Sequence, residues 1–73
     1  MRRLNPKKLL LSKWTAVTPL RKEKHFIVSS AIRPDDDTLP VEQFVLEAVH
    51  SGNSQIIHWR DLLNEEQWIQ GWK

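Results

Sequence analysis

From Ser12 onward, apolar and polar residues alternate with a period of two, which predicts extended strands. Trp14 and Ala16 fall on one face, Lys13, Thr15 and Val17 on the other, and Thr18-Pro19 ends the strand. Residues 21–24 read as a charged turn. Residues 25–32 repeat the pattern, with Phe26, Val28 and Ile32 on one face. Two prolines bracket the acidic run in residues 33–40, which read as a loop. A third strand spans residues 41–50, where Phe44, Leu46 and Ala48 alternate with Val45, Glu47 and Val49. Gly52-Asn53 is a two-residue hairpin signal leading into a fourth strand over residues 54–59. With that pair at the tip, Ser51 faces Ser54, Val49 faces Ile56, Ala48 faces Ile57, Glu47 faces His58 and Leu46 faces Trp59. Leu46, Ala48, Ile57 and Trp59 then share one face, as a core requires.

Both ends of the chain carry helix signals instead. Asn5 caps and Pro6 suits a first helical position, so a helix of about two turns is predicted through Leu11. Leu4 and Leu9 stand in a hydrophobic-staple relation, while Lys7 and Lys8 oppose the helix dipole, so packing must hold this helix. Near the other end, Asn64 with Gln67 matches a capping box, and Leu63 and Trp68 are placed as a staple. Gly71 reads as a left-handed helix end followed by Trp72. This final turn, carrying two tryptophans, is expected to fold back as a lid on one open side of the sheet. The expected fold is α+β and mainly β. It is a four-stranded antiparallel meander, a curled sheet or small open barrel with short N- and C-terminal helices, in one domain over residues 1–73.

Composition narrows the class. A chain of 73 residues buries roughly 60% of the surface its unfolded form exposes, enough for one thin core. It has no cysteine, hence no disulfide framework and no thiolate chemistry. No apolar run approaches the ~18 residues of a membrane span. A small soluble cytoplasmic domain is the expectation. Its net charge of +2 conceals a division: residues 1–24 carry eight basic side chains against one acidic, and residues 25–73 carry three against eight. A basic first third is either a footprint for a polyanion or a surface neutralised by the acidic remainder.

Certain residues carry a resemblance. Asn5-Pro6-Lys7-Lys8-Leu9-Leu10, Ser12-Lys13-Trp14-Thr15-Ala16 and Lys22-Glu23-Lys24-His25-Phe26 form a nearly continuous signature. With Trp59-Arg60-Asp61-Leu62, Trp68 and Gly71-Trp72-Lys73, the chain resembles the small tryptophan-rich conserved bacterial proteins of unknown function. Residues 33–40 depart from that pattern in being long and acidic. The resemblance implies a stand-alone cytoplasmic domain and supplies no catalytic residue.

Four tryptophans, with no tyrosine, are the most conspicuous side chains. Trp59 and Trp14 are expected in the core, and Trp68 is expected to seal it through Leu63. Trp72, beyond the cap, is the indole expected to stay partly exposed as a docking anchor. His25, His50 and His58 do not make a metal site in the expected register, which sets His58 against Glu47 as an ordinary cross-strand pair. Asp35-Asp36-Asp37 lacks the spacing of a calcium loop. No nucleophile elbow or glycine-rich phosphate loop is present, so neither catalysis nor a cofactor is expected. Two readings follow. The first is a non-catalytic protein-interaction module using Trp72 and Trp68. The second is a nucleic-acid-binding module in which Arg2, Arg3, Lys7, Lys8, Lys13, Arg21, Lys22 and Lys24 contact phosphates and an indole stacks on a base.

Overall fold

A computed structural model describes residues 3–20 and 23–73. Arg2, Arg21 and Lys22 lie outside the described residues. Five strands form one antiparallel sheet: β1 Lys13–Leu20, β2 Glu23–Ile32, β3 Gln43–Ala48, β4 Ser54–His58 and β5 Trp68–Gln70. The spatial order is β4-β3-β2-β1-β5, so the first four strands form the expected meander and β5 closes onto the far side of β1. The described residues therefore form five strands, not four. Among the described residues, no helix is long and apolar enough to cross a membrane.

Neither terminal helix forms as expected. At the N-terminal end only a 3-10 turn, Pro6–Lys8, is present, capped as predicted by the Asn5 side chain, which accepts from Lys7 N–H at 3.0 Å. The chain leaves it because Leu11 takes a positive φ of 68° and donates its N–H to the Val28 carbonyl at 2.8 Å. Near the other end, Asn64 does cap a turn, with its side chain accepting from Glu66 N–H at 3.0 Å. One turn is too short to propagate a helix alone. The free edge of β1 captures the backbone instead, with Val17 N–H donating to Gln67 at 2.9 Å and Gly71 N–H to Lys13 at 2.8 Å. A second 3-10 turn, Trp59–Leu63, carries the chain from one edge of the sheet toward the other.

The hairpin register also differs. Phe44 faces Ile57, Val45 faces Ile56, Leu46 faces Gln55 and Glu47 faces Ser54, a slip of four from the expected pairing. The closing pair is Ala48 with Asn53, around a loop in which Gly52 donates to the Ala48 carbonyl at 2.8 Å. Side chains of Ser51 and Asn53 bond the Glu23 carboxylate, tying this loop to the start of β2. A slip by an even number leaves every side chain on its expected face, so Leu46, Ala48 and Ile57 remain together in the core. Trp59, expected opposite Leu46, lies in the 3-10 turn and packs against the core only half-buried. A bulge between Val28 and Ser30 moves Ile32 off the face of Phe26 and Val28, so that Ala31 pairs with Phe44 instead.

One face of the sheet carries the core. Trp14, Val28, Phe44, Leu46 and Ala48 are sealed there, under Leu9 from the N-terminal segment and Leu62 from the second 3-10 turn. The molecule is only 16 Å along its shortest axis, one sheet with one covering layer.

Gly52 adopts φ +79°, and a side chain added there would meet nothing within 4 Å. The cost of substitution is therefore backbone strain alone. Gly52→Val should lose about 1–3 kcal/mol of stability, read as a lower urea midpoint, and Gly52→Asn clearly less, because asparagine tolerates the left-handed region.

Candidate functional site

Beyond β5 the chain crosses the face opposite the core. Lys13 and Thr15 alternate with the buried Trp14 and so point to this outer face, as do His25 and Ile69, which pair with Thr15 from either side. Gly71 turns the chain with φ +85°. Its carbonyl accepts from the Thr15 hydroxyl at 2.7 Å, and the Thr15 hydroxyl oxygen in turn accepts from Lys73 N–H at 3.0 Å. Thr15 is thereby buried on what would otherwise be the open side of the sheet. The final residues act as a strap, which is the expected lid only in part: it follows a strand rather than a helix, and it carries Trp72 but not Trp68.

Trp72 lies in this strap. Its indole N–H donates to the Phe26 carbonyl at 3.0 Å. Lys13 Nζ sits 4.8 Å from the ring centroid, within the range of a cation–π contact. The His25 ring lies 6.0 Å away, and its Nε2–H donates to the Lys73 carbonyl at 3.0 Å. Held in this way, Trp72 remains 43% exposed and takes no part in the core cluster. Exposed Ile69 and Val49 extend the same face, in one row with Thr15 and His25.

Trp68 points the other way. It pairs with Ala16 on the core face and meets Phe26 edge-on at 5.2 Å. There it lines an open cleft of about 530 Å³ with Ala16, Phe26, Gln55 and Gln67, to which both edges of the curled sheet contribute. The two terminal tryptophans are thus separated by the sheet and do not form one patch.

The basic residues divide as well. Lys13 stands against an indole, whereas Arg3, Lys7 and Lys8 are exposed on the N-terminal segment that feeds Leu9 into the core face. Lys24 is exposed at the start of β2, beside a shallow groove it lines with His25, Val49 and His50. Sequence reading singled out Lys13 and Trp72 but gave Thr15 and Lys73 no such role and weighed His25 only as a metal ligand; all three reach this site through long-range pairing.

His58 bonds Glu42 at 2.9 Å rather than the expected Glu47, a consequence of the shifted register. Its Nδ1 accepts from Arg60 N–H at 3.1 Å, so the ring proton sits on Nε2 and points at the Glu42 carboxylate. Arg60 and His58 also flank the Trp59 ring, at 5.4 and 6.0 Å. In the acidic loop, the Thr38 hydroxyl, and then the Thr38 N–H, hold the Asp36 carboxyl below its ordinary pKa.

The profile of the tryptophan-rich protein family DUF2389 matches residues 12–73. The chain belongs to this family. No curated protein and no solved structure matches it. The DUF2389 match takes in all four tryptophans and all five strands, including the strap that carries Trp72. It begins after the Asn5–Leu10 part of the signature, so the first 3-10 turn stands outside the matched DUF2389 region.

Proposed function

We propose that this DUF2389 chain is a non-catalytic, cytoplasmic accessory module that docks a protein partner on its outer face around Trp72. The observation that carries this reading is the way Trp72 is held. Its N–H is satisfied internally and its ring is fixed beside Lys13, yet nearly half of its surface faces water and the core does without it. A large aromatic fixed in advance loses little entropy on binding, and such residues are typical interface anchors. Ile69 and Val49 supply an apolar surround, and Lys13, His25 and Lys73 a polar rim. The cysteine-free sequence, without a nucleophile elbow or phosphate loop, supports a non-catalytic role inside the cell.

The placing of Lys13 beside the indole favours a second reading, a single-strand nucleic-acid binder with one stacking residue and phosphate contacts. One experiment separates the two. The tagged full chain and its Trp72→Ala variant are used to capture partners, with and without nuclease. The docking reading expects a defined protein set, insensitive to nuclease and lost with Trp72→Ala. Nuclease-sensitive capture would support the second reading, and identical capture by both proteins would remove Trp72 from either.

A further inference from the structure

The two edges of the sheet are protected to different degrees. On β5, hydrogen bonding at Gly71 and Gln67 sets the phase, leaving Trp68 and Gln70 to face outward. That edge is three residues long, its Trp68 N–H is taken by the Asn64 carbonyl at 3.0 Å, and Gly71 then turns the chain away. On β4, the bonded pairs Ala48/Asn53 and Glu42/Trp59 set the phase, so Ser54, Ile56 and His58 face outward. The Asp61 carboxylate already accepts from His58 N–H at 3.1 Å. Among the described residues, what remains open is a window two residues wide, the N–H and C=O of Ser54 and Ile56. The strand reads Ser-Gln-Ile-Ile-His, with no lysine, acid or proline to guard it, and Ile56 is 64% exposed.

We propose that β4 pairs antiparallel with β4 of a second copy of this chain, joining two five-stranded sheets about a twofold axis. The window selects that occupant. When Ser54 is set opposite Ile56 of the copy, all four outward groups on each strand pair reciprocally and none is left over. In the same register His58, closed by Asp61, falls opposite Gly52 of the copy, where the positive φ has already turned that chain off the edge. A longer foreign strand would continue past this point and meet the Asp61 carboxylate. Two neutral strands approach without charge repulsion, and Ile56 gains cover beside Ser54 of the copy. An edge contact this small gives a concentration-dependent dimer, not a permanent one.

Sedimentation equilibrium of the full chain over a concentration series tests this, together with hydrogen exchange at the Ser54 and Ile56 amides. The mass is expected to rise from 8.6 kDa toward twice that value, and exchange at both amides to slow as concentration increases. Ile56→Pro removes an outward N–H without touching the ladder to β3, and Ile56→Lys places a charge on the edge. Both are expected to keep the circular dichroism spectrum and remain monomeric, while Trp72→Ala, which lies away from this edge, leaves the dimer intact. A mass of 8.6 kDa at every concentration would overturn the proposal, as would a dimer that survives both Ile56 variants or is lost with Trp72→Ala.

Discussion

Replacing Trp14 by alanine is expected to unfold the protein. The side chain is completely enclosed, and its indole N–H is satisfied by the Ser12 hydroxyl at 2.8 Å. Leu9 and Leu62 close over the same face on which Phe26, Val28 and Leu46 lie. Truncating a buried tryptophan costs roughly 3–5 kcal/mol. A single core in a domain this small rarely supplies more than ~3–5 kcal/mol in total. Circular dichroism of Trp14→Ala at room temperature should therefore show no cooperative melt. Trp59→Ala, removing a half-buried ring flanked by His58 and Arg60, should keep a measurable transition. Equal losses from the two would contradict the placement of the core.

The second large effect concerns the crossover. Leu62 and Leu63 are neighbours in the same 3-10 turn, and the staple pattern in the sequence favours Leu63 as the core residue. Leu62 is fully buried in the core cluster, whereas Leu63 is only half-buried. Leu62→Ala should cost about 2–5 kcal/mol, depending on how far the site collapses, and Leu63→Ala distinctly less. Urea denaturation of both variants checks this. Leu62 also fixes the path from β4 to β5, so its loss should loosen β5 and the strap beyond it, seen as faster amide exchange at Ile69 and Gly71.

Much of the core face was legible because side-chain direction in a strand depends only on parity. Trp14, Phe26, Val28, Phe44, Leu46, Ala48 and Ile57 fall where their alternation places them, even though the β3–β4 register slipped by four. Ile32 was misplaced because a bulge breaks parity, and Ser29 carries no residue type that announces one. The fifth strand was hidden for a different reason. Asn64 to Gln67 carry sound local signals for a helix start, and those signals do form a turn. What overrides them lies some fifty residues away in sequence, the unpaired edge of β1. The strap site was half legible on the same grounds: exposure of Trp72 follows from its position past a glycine, but the Thr15 hydroxyl that fixes its neighbours depends on the β1–β5 pairing.

At the centre of this account is the claim that Trp72 is held by the fold without holding the fold together. The melting temperature of Trp72→Ala tests it most directly. The variant loses the bond to the Phe26 carbonyl and a half-buried ring, about 1–2 kcal/mol, so the transition should stay cooperative with Tm lowered by roughly 5–15 °C. A variant as unfolded as Trp14→Ala would make Trp72 a closing element of the sheet and would contradict the assignment of its exposed face to a partner.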